Sequence, residues 1–150
     1  MWSKAREAIL NSSEQSSVYI GCDSLVSKKH GKFVAEYSTV IVVHRDSRHG
    51  CQIFHSSVTQ PDYGIMETRL LIETQHALEA FDAIKDVIGN RHLEVHLDVN
   101  PNPIYKSNKV SSQALGWVRG QGIEVKIKPD SWAATHAADH CVRKKSSFSN

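Results

Sequence analysis

From Val18 to Asp23 the chain alternates, with Val18, Ile20 and Cys22 on one parity and Tyr19, Gly21 and Asp23 on the other. This is the two-residue period of a pleated strand. The strand is expected to end in the Asp23 carboxylate. Phe33 to His44 carries Val34, Tyr37 and the run Thr39 to Val43, and Cys51 to Val58 follows after a polar turn at Arg45 to Gly50. Short connections between three such segments predict an antiparallel meander. The period then changes. Leu70, Leu71, Ala77, Leu78, Phe81 and Ile84 recur at helical spacing, after Pro61 and before Gly89-Asn90, which marks the longest helix. Leu93, Val95, Leu97 and Val99 alternate with Glu94, His96 and Asp98, giving a fourth strand that also closes on a carboxylate.

Asn100-Pro101-Asn102-Pro103 breaks the chain, and Ser107 can cap a helix through Leu115 and Trp117 that turns back at Gly120 to Gly122. Ile123 to Ile127 forms a fifth strand, and Ser131 to Lys144 carries a seam of small residues expected to be helical. The order β-β-β-α-β-α-β-α predicts an α/β fold. Its sheet is mixed and five-stranded, with three antiparallel strands and then two parallel ones joined by helical crossovers. Residues 1–17 are expected to form a short N-terminal helix and linker, 18–144 the domain, and 145–150 a frayed tail.

Composition narrows the class. A chain of 150 residues with 40% hydrophobic and 23% charged content is one globular domain, not a disordered or collagen-like polymer. A formal charge of +2, with nine histidines in reserve, permits a phosphate partner without requiring one. Thr39 to Val43 is the longest uncharged β-branched run, far short of the ~20 apolar residues a membrane helix needs. With no export signal at the N-terminus, a cytoplasmic protein is expected. Cys22, Cys51 and Cys141 fit no C-x-x-C motif and are expected to be free thiols.

The predicted topology sets the carboxyl ends of strands one and four side by side, where open α/β sheets carry their sites. Asp23 and Asp98 would then be neighbours. Two desolvated carboxylates repel, and a hard divalent cation, Mg²⁺ or Mn²⁺, relieves the cost. Taken singly, each aspartate is as well explained by a strand end or turn. Further carboxylates change that weighting: Glu67 and Glu73 on the long helix, and Asp130 and Asp139 beside or within the last one.

At this point the sequence resembles the ribonuclease H-like superfamily, and within it the YkuK-type family of predicted nucleases. The resemblance is carried by Tyr19-Ile20-Gly21-Cys22-Asp23-Ser24, by Arg69-Leu70-Leu71-Ile72-Glu73-Thr74, and by His96-Leu97-Asp98-Val99-Asn100-Pro101 with Tyr105-Lys106-Ser107-Asn108-Lys109. Gly116-Trp117-Val118-Arg119-Gly120-Gln121-Gly122, the block Lys126 to Ala134, and Ala138-Asp139 complete it. It implies a site in which Asp23, Glu73, Asp98 and Asp139 hold two ions of Mg²⁺ or Mn²⁺. Glu67 stands as the alternative to Glu73, because it lies nearer the helix start. Asp130 is better read as a helix cap.

Nucleic acid is the expected partner, with Lys106, Ser107, Asn108, Lys109, Lys126 and Lys128 as its contacts. Arg119 could join them. A solvated basic surface explains the same residues about as well. His136 and His140 flank Asp139 at helical spacing, and His96 or His136 could shuttle a proton, but ordinary polar roles suffice for all three. The expected function is metal-dependent hydrolysis of phosphodiester bonds in DNA, RNA or an RNA/DNA hybrid. The alternative is a non-catalytic nucleic-acid-binding module of the same fold.

Overall fold

The computed structural model describes residues 1–47, 50–100 and 108–133, Asn108 by its backbone only. Its elements are α1 (Ser3–Leu10), β1 (Ser17–Lys29), β2 (Lys32–His44), β3 (Cys51–Pro61), α2 (Met66–Ile88), β4 (His92–His96), α3 (Asn108–Arg119) and β5 (Glu124–Lys126). The sheet order is β3-β2-β1-β4-β5. β1, β2 and β3 pair antiparallel, whereas β4 runs parallel to β1 and β5 parallel to β4. The expected mixed five-stranded sheet is therefore present. The last predicted helix lies almost wholly outside the described residues, and Ser131 to Ala133, where it was to begin, are not helical.

Alternation sorts β1 into two faces. Val18, Ile20 and Cys22 enter a core with Ile41, Val43 and Val95 of the neighbouring strands and Ala77, Leu78 and Ile84 of α2. Ala5 and Ile9 bring α1 into the same core. Ile84 is fully buried, so truncation to Ala would cost about 2–5 kcal/mol. Tyr19, on the other parity, packs with Val40, Val42, Trp132 and Ala133.

One expectation needs correction: β1 does not end at Asp23. It runs on to Lys29 because β2 pairs with it from Ser17 to Lys29, whereas β4 pairs only from Ser17 to Gly21. Alternation reports which face a residue takes, not where each neighbour stops. Asp23 thus lies two residues beyond the last β4-paired position, at the edge where the parallel half of the sheet terminates. Asp98 likewise lies two residues past the end of β4.

A second correction concerns the cysteines. Cys22 is a free, buried thiol that burial pushes up to about 12, but Cys51 is disulfide-bonded. Sequence separation does not decide which cysteines meet in space. Among the described residues, no helix is long and apolar enough to cross a membrane.

Candidate metal centre

β1, α2 and the segment after β4 each deliver one carboxylate to a common point. Asp23, Glu73 and Asp98 offer oxygen atoms that all lie within 4.8 Å of one another. Asp98 is placed by its neighbours: Leu97 and Val99 are buried on either side, leaving the aspartate directed to the surface. Backbone bonds from Leu97 N to Lys126 O (3.0 Å) and from Lys128 N to Val99 O (3.1 Å) continue the β4–β5 pairing past both strands. That continuation brings the Lys128 ammonium to 2.8 Å from Asp98 Oδ1. Asp23 accepts from the Ser24 backbone N–H at 3.0 Å, and the Ser24 hydroxyl donates to Glu73 Oε2 at 2.5 Å.

Glu73 is only 7% exposed. Burial pushes its carboxyl up to about 7, with the Asp23 and Asp98 charges adding to the rise and the Ser24 hydroxyl and Arg69 opposing it. Asp23 is raised as well, first by burial, against its Ser24 backbone bond, with the Asp98 charge contributing. Lys128 is raised by its hydrogen bond to Asp98. Carboxylates gathered and partly desolvated in this way are short of positive charge. An all-oxygen donor set beside an open cavity of about 320 Å³ suits a hard divalent cation with room for water or phosphate oxygens.

Glu67 is not in this cluster. Six residues of helix separate it from Glu73, which turns it roughly 240° around α2 and onto another flank. Asp139, His136 and His140 lie outside the described residues, as do Lys106, Ser107 and the side chain of Asn108. Lys109 is exposed at the start of α3, Arg119 is exposed at its end, and Lys126 sits on β5 opposite His96. Of the predicted nucleic-acid contacts that are described, Lys128 alone lines the cavity.

Ser24, Arg69 and Met66 also line it, and sequence reasoning gave none of them a role. Two signals were available: Ser24 adjoins Asp23, and Arg69 precedes Glu73 by one helical turn, on the same flank. His96 is a structural residue. Its Nδ1 accepts from the Trp132 and Ala133 backbone N–H groups, both at 3.1 Å, so its Nε2 carries the proton and donates to Glu94 Oε1 at 2.9 Å. Burial lowers its pKa against the pull of Glu94.

A second group, His92, Glu94 and Glu124, is equally close-set. His92 Nε2 lies 2.5 Å from Glu94 Oε2 and 3.3 Å from Glu124 Oε2. This group occupies the other end of β4, about 20 Å along the strand from Asp98. Its histidine–carboxylate pairs account for its closeness.

Over residues 1–143 the chain matches the profile described as Ribonuclease H-like. The chain belongs to the ribonuclease H-like family. The YkuK-type resemblance is supported by an uncharacterised protein, YkuK of Bacillus subtilis (strain 168). It is 29% identical over 141 residues, covering 83% of this chain and 77% of that one. Among solved structures, the prototype foamy virus protease-reverse transcriptase aligns with a TM-score of 0.45 at 13% identity. It covers 90% of this chain, which spans only 21% of the viral protein. Membership of this ribonuclease H-like family, together with the acidic cluster, supports a nucleic-acid-related role.

Proposed function

We propose that this protein is a metal-dependent nuclease that hydrolyses phosphodiester bonds. The observation that carries the reading is the convergence of Asp23, Glu73 and Asp98 at the end of the parallel half of the sheet. These three carboxylates would hold the cations, two ions of Mg²⁺ or Mn²⁺, with Asp139 as the fourth acid. When bound, such cations activate water for attack and stabilise the leaving oxygen. The protein's own groups prepare the site. The Ser24 hydroxyl fixes one Glu73 oxygen, and burial of Glu73 limits competition from bulk water. Lys128 and Arg69 set positive charge beside the acids, where non-bridging phosphate oxygens would lie.

Lys128 also supports the second reading, a non-catalytic nucleic-acid-binding module. Its ammonium already neutralises Asp98, which reduces the need for a metal ion there. One experiment separates the two. The protein is incubated with labelled single-stranded, duplex and hybrid nucleic acids in Mg²⁺ or Mn²⁺, and wild type is compared with Asp98→Asn. Metal-dependent cleavage lost in Asp98→Asn is the expected result. Cleavage that survives the substitution excludes this centre, and binding without cleavage by the wild type favours the module.

A further inference from the structure

A second cavity, of about 440 Å³, adjoins the metal centre and shares Arg69 with it. Tyr37, Pro61, Tyr63, Ile65 and Ile72 form its apolar walls. Ile65 faces this cavity and the next residue, Met66, faces the carboxylates. Their Cα atoms are about 3.8 Å apart, as across any trans peptide. The two cavities therefore lie side by side at the start of α2.

The rim carries an exposed apolar patch. Tyr63 is 83% exposed, Ile65 50% and Met66 48%, a local group of exposed large side chains of the kind found where a ligand or partner binds. The loop that presents Tyr63 is tied down. Asp62 N donates to Phe33 O at 3.0 Å, and Gly64 N donates to Asp62 Oδ2 at 3.0 Å. Arg69 Nη1 donates to both Asp62 oxygens, at 3.1 and 2.9 Å. Gly64, at φ 77°, takes the left-handed turn that closes the loop. The Asp62–Arg69 ion pair, whose carboxylate is 5% exposed, thus fixes both the loop and the guanidinium shared with the metal centre. An exposed aromatic ring on a loop tied down in this way needs little further backbone ordering to bind.

We infer that this cavity is a subsite for one unpaired nucleobase next to the phosphate held at the metal centre, and that the substrate is single-stranded nucleic acid or a frayed end. The inference rests on the nuclease reading of that centre. The chemistry favours an unpaired base because a ring can stack only on a base whose face is free, whereas duplex bases are stacked and their edges paired. Apolar walls match a flat heterocycle, and Arg69, whose charge Asp62 partly meets, lies between this cavity and the metal centre.

The test uses fluorescence anisotropy at one fixed ionic strength. The probes are a short labelled oligothymidine strand and a blunt duplex of equal length, and the proteins are wild type, Tyr63→Ala and Tyr63→Phe. Because Tyr63 is exposed, neither substitution removes core packing. The wild type is expected to bind the single strand about tenfold more tightly than the duplex. Tyr63→Ala should weaken strand binding about tenfold and leave the duplex unaffected, and Tyr63→Phe should restore it. Equal affinity for the two probes, or strand binding indifferent to Tyr63→Ala, overturns the subsite. Asp98→Asn reads the other claim separately. Cleavage lost in Asp98→Asn without any Tyr63 effect sinks the base pocket and keeps the nuclease. Tyr63-dependent strand binding by a wild type that cuts nothing keeps the pocket and sinks hydrolysis.

Discussion

The two ends of β4 hold groups that a distance criterion alone would treat alike. At one end Asp23, Glu73 and Asp98 converge, and at the other His92, Glu94 and Glu124 do so within the same 4.8 Å limit. Their charge balance differs. Burial pushes Glu94 up, but hydrogen bonds from His92 and His96 outweigh it and bring the carboxyl below its usual value. Glu73, which accepts from the Ser24 hydroxyl and has two aspartates nearby, is raised to about 7 by burial and by their charges, against Ser24 and Arg69. In one cluster hydrogen bonds from two histidines offset the burial of Glu94, whereas in the other Lys128 pairs with Asp98 and Arg69 opposes the rise at Glu73 without cancelling it. Convergence brings ligand atoms within reach, and the uncompensated charge creates the demand for metal.

The largest expected effect tests that contrast through catalysis. Asp98→Asn should lower cleavage by about 10²- to 10³-fold, the usual loss when one preorganised electrostatic group is removed from an active site. Glu124→Gln, at the balanced end, should leave the rate unchanged in the same assay. Loss of activity in both variants would erase the distinction.

Stability against pH comes next. Glu73 has a folded value near 7 against 4.5 for the free side chain, so between these values the native state holds more protons than the unfolded chain. Stability of the metal-free protein is therefore greatest below about pH 4.5 as far as this group is concerned. It falls as pH rises through 7, by roughly 3 kcal/mol in all. Thermal melts in a chelator from pH 5 to 8 should show the decline, and Glu73→Gln should flatten it. A wild-type midpoint that rises over this range would contradict the uncompensated burial of Glu73.

Metal binding should reverse that loss. Mn²⁺ at a hundred times its dissociation constant stabilises the native state by about 2.7 kcal/mol. For a chain of this length that raises the melting midpoint by about 5 to 10 °C. Asp98→Asn should abolish the rise and His92→Ala should retain it. The smallest effect is that of His92→Ala on stability itself, below about 1 kcal/mol by denaturant titration, because the His92 ring is about half exposed in both of its carboxylate pairs. A larger loss would show that the balanced cluster does more than neutralise itself.

Much of this architecture was legible because burial writes its period into the chain. Alternation at Val18–Cys22 and at Leu93–Val99 and the 3.6-residue spacing from Leu70 to Ile84 each mark a face that must leave water. The same reading brought Asp23 and Asp98 to one edge of the sheet, since parallel strands joined by a crossover put their carboxyl ends together. It failed where a choice depended on a partner. Asp23 lies inside a long strand because β2 continues beside it after β4 has stopped. Cys51 forms a disulfide that an odd cysteine count did not foretell.

The sequence by itself determined the order of elements, the faces they bury and the types of side chain available for chemistry, because these follow from local period and composition. Only the tertiary structure decided how far the charge of each carboxylate is met. It alone set Lys128 on Asp98 and Ser24 on Glu73, and joined Asp62 to Arg69 under the loop that carries the exposed Tyr63. Electrostatic balance is a sum over neighbours in space. Residues far apart along the chain enter that sum only after the strands have paired and the helices have taken their rotation.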